Sequence, residues 1–313
     1  MKIRTLTFIT LCAAVLLGGC SKNSIYIELG GSDGDDSSGG NNTSQTLITF
    51  SAAVEGRNMT RAMSPLGKGI ENQLYAFETT KGNSLGVPTE EGKYVTIAPG
   101  LLNGVDGYKM YLSNGIYNFY AVSENNSDML PSFAAGKSES LKNGVDYLWW
   151  KGSQRDVSSS QVIIPIVYQH VATQVVFQVS AGVGLNLDKL VSATITPSKD
   201  GQSMYLNTGE IPAIDEYAPA VPMGINGFLA QYIMLPLQTT NPMKLTLEIS
   251  VKGEDNTRTY EVDVPVPSGE LKAGDSYLFS ALIDENRISF PVVSVKAWTD
   301  IDETGKPLYP NQQ

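Results

Sequence analysis

Apolar and polar residues alternate along much of this chain. Ile48, Phe50, Ala52 and Val54 are separated by Thr49, Ser51 and Ala53. Leu245, Leu247, Ile249 and Val251 are separated by Thr246, Glu248, Ser250 and Lys252. Tyr117, Phe119 and Ala121 repeat the pattern, as do Val175, Phe177 and Val179, and Val191, Ala193 and Ile195. A period of two sends successive side chains to opposite faces of a strand, so each run predicts a strand with one dry face. Turn dipeptides separate the runs: Asn114-Gly115, Asn143-Gly144, Asp200-Gly201 and Lys252-Gly253. Helical period is nearly absent, and residues 137–143 are the one short segment that reads as a helix. The polar stretch 151–160 reads as a loop, after which strands resume at Gln161–Tyr168 and Val171–Ser180. The pattern predicts an all-β fold made of one or two β-sandwiches. A length of 313 residues favours two domains. The break falls near 168–170, which gives 46–168 and 169–313, with no repeat of fixed period.

Composition narrows the function. The chain is 42% hydrophobic, enough for real cores. Its formal net charge is −10, and a nucleic-acid binder needs a basic face, so nucleic acid is not expected as a partner. Both cysteines, Cys12 and Cys20, lie in the first twenty residues. The rest of the chain therefore has no disulfide scaffold, thiolate metal site or cysteine nucleophile. His170 is the single histidine, which removes any two-histidine metal site.

A search for catalytic motifs finds none that holds. Gly136-Lys137-Ser138 has the ending of a phosphate loop, but Pro131 stands where its first glycine is required. Gly182-Val183-Gly184 lacks a third glycine, and no Gly-x-Ser-x-Gly elbow occurs. Glu90-Glu91, Glu254-Asp255 and the acidic group Asp300, Asp302 and Glu303 sit in turn-like sequence and read as solvated charges. His170 opens an apolar strand and reads as a packed core residue. Tyr147, Trp149 and Trp150 are more open in meaning. Neighbours on a strand face opposite ways, so one of the two tryptophans points away from its core. It either stacks on a sugar or is covered by the other domain. No enzyme, cofactor or metal is expected.

The first residues form a leader. Lys2 and Arg4 precede Leu6–Leu17, an apolar run too short to span a bilayer. Leu17-Gly18-Gly19-Cys20 resembles a bacterial lipobox, which implies cleavage before Cys20 and acylation of its thiol as a membrane anchor. Removing 1–19 takes two positive charges and leaves −12. Residues 20–45 form a flexible linker, with Gly, Ser, Asp and Asn dominating 30–45. Asp33, Asp35 and Asp36 lack the third ligand and distal glutamate of a calcium loop.

The segment Thr46–Ala62 is the most specific. A clean strand runs straight into a small polar loop that carries Arg57 and Arg61. Together with the lipobox, this resembles the fimbrillin family of Bacteroidetes, the lipoprotein precursors of type V pili. Three further segments are similar to that family's pattern: Tyr168-Gln169-His170-Val171-Ala172, Leu271-Lys272-Ala273-Gly274-Asp275-Ser276-Tyr277, and Val293-Ser294-Val295-Lys296-Ala297-Trp298. The resemblance implies two tandem transthyretin-like β-sandwiches after a signal peptide and linker. It implies an outer-membrane precursor held by lipid on Cys20. An Arg-specific protease would cut after Arg61, or after Arg57, releasing the strand that carries Ile48, Phe50, Ala52 and Val54. A strand from another pilus subunit would then fill the groove. Burial of Ile48, Phe50 and Val54 amounts to about 5–9 kcal/mol, comparable with the stability of a whole domain. A second outcome from the same residues is a permanently anchored lipoprotein, binding surface glycans through Tyr147, Trp149 or Trp150 or serving as a pilus anchor, in which the two arginines only keep a loop soluble. Ser21-Lys22-Asn23-Ser24 follows Cys20, so the acidic run that would favour surface export is displaced to 33–36.

Overall fold

A computed structural model describes residues 45–55, 63–81, 85–127, 130–285, 287–296 and 298. Cys20, Arg57 and Arg61 lie outside the described residues. The described residues belong to one compact unit, and nearly all their regular structure is strand.

The first group of strands is β1 (Gln45–Glu55), β2 (Met63–Pro65), β3 (Glu71–Glu78), β4 (Glu90–Ala98), β5 (Leu101–Gly104), β6 (Met110–Ser113), β7 (Gly115–Ser123), β8 (Phe133–Ala134), β9 (Lys137–Ser138), β10 (Leu148–Val157) and β11 (Gln161–His170). Seven of them form a hydrogen-bonded circuit in the order β11, β10, β7, β3, β4, β5, β1, with β1 returning to β11. β2 and β6 are also paired to β1. Phe50 on β1 meets Tyr94 on β4 at 5.2 Å and Phe119 on β7 at 6.2 Å, edge to face, although no ladder joins β1 to either strand. The circuit is thus a sandwich whose two layers face each other across an aromatic core.

The second group is β12 (Thr173–Ala181), β13 (Leu187–Ile195), β14 (Val221–Pro222), β15 (Gly224–Asn226), β16 (Leu229–Met234), β17 (Leu237–Gln238), β18 (Met243–Val251), β19 (Arg258–Val264), β20 (Glu270–Leu271), β21 (Ser276–Asp284) and β22 (Arg287–Lys296). One sheet runs β15, β16, β12, β21, β22, and the other runs β14, β13, β18, β19. Their inner faces share a core in which Phe177 stacks on Phe279 at 4.9 Å and Phe290 meets both rings edge-on. Leu245, Leu247 and Ile249 are fully buried in it, on the face their alternation predicts. The fold is an all-β sandwich architecture.

Both groups contain one parallel pair. β1 runs parallel to β11, from Leu47 opposite Gln161 to Val54 opposite Tyr168. β12 runs parallel to β21, from Gln174 opposite Ser276 to Ala181 opposite Ile283. A parallel pair needs a long crossover, and in each case the intervening strands supply it. The repeat is therefore one of topology and leaves no fixed period in the sequence.

Two local expectations give way. Residues 137–143 are not helical: Ala135 and Gly136 take positive φ and turn the chain between β8 and β9. The N–H groups of Ser138 and Leu141 then donate to Met204 O and Gln202 O, so they are spent on a distant segment. The polar stretch 151–160 is not all loop. β10 continues through it to Val157, paired with β7, and a bulge between Gly152 and Arg155 with Gln154 at φ 50° breaks the alternation.

β11 and β22 are outer strands. The ladder from β11 to β10 is confined to Leu148–His170 and Trp149–Gln169, while among the described residues β22 pairs only with β21. Each carries an exposed proline in mid-strand, Pro165 and Pro291. Proline has no N–H to offer, so both edges are poor templates for unplanned pairing.

Candidate strand-exchange groove

β1 is a central strand with one dry face. Its burial alternates without a break: Thr46, Ile48, Phe50, Ala52 and Val54 are all at most 6% exposed, and the residues between them are half-buried. β11 flanks it on one side. On the other side it meets β6 from Gln45 to Ile48, β5 at Ser51 and β2 from Ala53 to Glu55.

Each inward residue has identifiable neighbours. Ile48 lies in register between Val162 and Met110. Phe50 lies beside Ile164 and under the edges of Tyr94 and Phe119. Ala52 lies beside Ile166, and Val54 beside Tyr168. At the start of the strand the Thr46 hydroxyl donates to Ser159 O. At its end Gln169 Nε2 donates to Glu55 Oε2 at 3.3 Å.

Tyr168 closes the floor at that end. It is fully buried, and its hydroxyl donates to Asn72 Oδ1 at 2.7 Å. Burial pushes its pKa far above the ordinary tyrosine value, so it remains a neutral donor. Tyr168→Phe is expected to lower the unfolding free energy by about 1–3 kcal/mol, because Asn72 Oδ1 loses this donor in a dry site. Urea unfolding of the two proteins measures it, and equal midpoints would show that the bond is dispensable.

One position of β1 is held differently. Ala52 N–H donates to Gly100 O at 2.9 Å, Gly100 N–H donates to Leu66 O at 2.8 Å, and Leu66 N–H donates to Ala52 O at 3.1 Å. The three peptide groups form a closed ring. Gly100 has φ +74°, and a Cβ there would lie 3.0 Å from Ala52 O, so glycine is required twice over. The Pro99-Gly100 dipeptide marks a turn in the sequence, but nothing in the sequence joins it to Ala52.

The three aromatic residues considered for glycan contact are spread over different environments. Tyr147 is buried, and its hydroxyl accepts the N–H of Lys142 at 3.0 Å. Trp150 faces the core of the first sandwich. Trp149 faces the opposite way, donates from Nε1 to Leu206 O at 2.8 Å and packs against Gly209. Trp149 and Trp150 nevertheless both border a hollow of about 470 Å³, together with Glu55, Met63, Lys151, Val167 and Gln169. The hollow thus adjoins the last residue of β1 and the first of β2, which are paired with each other.

The remaining motif segments meet where the two sandwiches join. Trp298 stacks on His170 at 4.3 Å with the rings 14° apart. The other side of this cluster is Asp146, whose Oδ1 lies 2.8 Å from His170 Nδ1. Gly274 N–H donates to Ala172 O, Gln174 N–H to Asp275 O, and the Thr173 hydroxyl to Lys272 O. Segments near 170, 274 and 298, far apart in the sequence, therefore meet at a single joint.

A sequence model of the fimbrillin-like family matches residues 60–298. The chain belongs to the fimbrillin-like family. No curated protein matches it. Among solved structures, this fimbrillin-like chain is similar in fold to a candidate cell adhesion protein from Bacteroides uniformis, with TM-score 0.60 and 17% identity over 82% of this chain and 100% of that one. A second from Bacteroides ovatus has TM-score 0.59 and 15% identity over 82% and 99%. A third from Bacteroides fragilis has TM-score 0.53 and 16% identity over 82% and 98%. These likenesses carry the fold. Membership of the fimbrillin-like family supports a structural role in a pilus or adhesin at the cell surface, alongside other subunits, rather than catalysis. The matched span opens at residue 60, after β1, and closes at Trp298.

Proposed function

We propose that this fimbrillin-like protein is a shaft or tip subunit of a type V pilus, active in cell adhesion after its first strand has been exchanged. The precursor is anchored in the outer membrane through lipid on Cys20. An Arg-specific protease cuts after Arg61, or after Arg57, and β1 leaves with the anchor. A strand from a neighbouring subunit then takes its place.

The observation that carries this reading is the position of β1. It is a central strand whose inward face is wholly buried, yet it stands at the beginning of the described fold and continues into the rest of it through residues 56–62 alone. A cut there leaves a core strand held only by non-covalent contacts. Its departure opens ladders on both sides, and those unpaired backbone groups are the affinity for a replacement. The family match, which begins beyond β1, agrees with a working subunit that does without it. The segment Ile288–Trp298, considered as a donor, is itself built into this fold: β22 is paired along β21 and Trp298 stacks on His170.

Purified precursor treated with an Arg-specific protease is expected to yield a ladder of oligomers, with Ala62 as the new N-terminus. A cut protein that stays monomeric at every concentration would sink the assembly step. A cell-surface form that still begins at an acylated Cys20 would favour the permanently anchored lipoprotein.

A further inference from the structure

We infer that a hollow on the outer face of the first sandwich is a saccharide site, which takes a short stretch of uncharged sugar chain. It lies between β3, β4 and the chain from Leu130 to Tyr147, and encloses about 890 Å³. Ligand sites usually measure about 300–1,000 Å³. None of its described lining residues belongs to β1 or pairs with it. The site is therefore independent of strand exchange and adds a ligand to the adhesion role.

Strand alternation builds the floor. On β3, Leu74 and Ala76 point into the first core, so Gln73 and Tyr75 point out of it. β4 runs antiparallel beside them, with Lys93 opposite Gln73 and Glu91 opposite Tyr75. These four side chains share one patch of one face. Tyr75 and Tyr147 are buried at the bottom, and Phe133 stands edge-on to Tyr75 at 5.9 Å. The facing wall is fixed before any ligand arrives. Glu139 N–H donates to Ser132 O, and Ser132 N–H donates to Glu139 Oε1 at 3.0 Å. Leu141 N–H is held by Gln202 O, and Lys142 N–H by the Tyr147 hydroxyl.

The lining matches both sides of a sugar's chemistry. A sugar ring has apolar C–H faces and a girdle of hydroxyls, each at once donor and acceptor. The interior offers Tyr75, Phe133 and Leu141 to the C–H groups. Around them stand the carboxylates of Glu91, Glu124 and Glu139 as acceptors and the ammoniums of Lys93 and Lys142 as donors. The Gln73 amide supplies both. Burial, and then the charge of Glu91, pushes the Tyr75 phenol above its ordinary range, so its hydroxyl stays neutral. Three carboxylates against two ammoniums leave one net negative charge on the lining. An anion would meet that excess, and a cation would meet Lys93 and Lys142. An apolar ligand would strip water from charged groups and give them no partner. An uncharged polyhydroxyl ligand meets none of these penalties.

The test uses the full, uncut chain, clustered on beads so that weak single sites add, and an array of immobilised neutral and acidic glycans. Binding to neutral glycans is expected. The free form of the strongest neutral binder is then titrated calorimetrically into the native chain and its variants. Glu91→Ala, Lys93→Ala and Phe133→Ala are each expected to weaken it about tenfold or more. Glu91 and Lys93 are exposed, so their removal is expected to leave the thermal midpoint nearly unchanged, which separates lost contact from lost fold. Lys151→Ala, at the other hollow beside Trp149 and Trp150, is expected to bind as the native chain does. An array that retains no glycan, or acidic ones alone, overturns the inference. So does a neutral glycan whose affinity falls with Lys151→Ala and not with Glu91→Ala or Lys93→Ala, because the sugar then sits in the other hollow. Each of these results leaves strand exchange standing, since that is read from oligomers of the cut chain.

Discussion

Phe50→Ala in the uncut chain is expected to lower the unfolding free energy by about 3–5 kcal/mol. Phe50 is 3% exposed at the centre of the first core. Its removal costs the transfer energy of a phenyl ring and leaves a cavity between Ile164 and the opposite layer. It also removes two edge-to-face contacts, with Tyr94 at 5.2 Å and Phe119 at 6.2 Å, each worth about 0.5–1.5 kcal/mol beyond the buried area. Collapse of the site would recover part of this, but β1 is laddered on both sides and has little freedom to move inward. Denaturant unfolding with an unchanged slope is the measurement. A loss below about 1 kcal/mol would mean that β1 is loosely seated, and a loosely seated β1 could not keep a precursor closed. The same substitution bears on function. A precursor weakened at this ring should shed its nicked strand faster, so oligomers should appear sooner than with the native residue.

The inward face of β1 was legible from alternation alone, because a strand with one dry face repeats every two residues and no other element does. Its partner was not. β11 lies more than a hundred residues away, and nothing in the run from Gln161 to His170 says which strand it will parallel. The opposite facing of Trp149 and Trp150 was likewise readable, since neighbours on a strand must diverge. Which surface would cover Trp149 was not, because its indole is met by the backbone of Leu206. The closed ring of hydrogen bonds at Ala52 left no trace in the side-chain pattern, as all three of its bonds are between backbone groups. The helix expected at 137–143 failed for a related reason: the N–H groups of Ser138 and Leu141 are taken by carbonyls of residues 204 and 202, a choice made by tertiary contact. Side-chain period reports on faces, whereas pairing is decided by backbone groups that are the same in every residue.

Removing the Asp146 carboxylate by Asp146→Ala should cost about 3–4 kcal/mol, the second large effect. This side chain is 1% exposed and His170's is 5% exposed. Asp146 presents Oδ1 to His170 Nδ1 at 2.8 Å and accepts the Asn125 amide on Oδ2 at 2.8 Å. A hydrogen bond to a charged group contributes about 1.5–3 kcal/mol, and two are lost together. The damage is not confined to one sandwich. His170 ends β11, which floors the exchange groove, and its ring carries Trp298 from the end of the second sandwich. Trp298 belongs to the apolar cluster that joins the outer face of β3 and β7 to Met204 and Leu206. A loosened imidazole therefore releases an anchor of that joint as well as the end of a strand. Asp146→Asn keeps the shape and one acceptor oxygen, and should lose about half as much. Equilibrium unfolding of both variants, followed by tryptophan fluorescence, distinguishes a hydrogen-bonding role from simple packing. If the asparagine variant is as unstable as the alanine one, the carboxylate matters for its charge. If neither variant is destabilised, the joint depends on the apolar cluster alone, and the stacking of Trp298 on His170 is incidental to it.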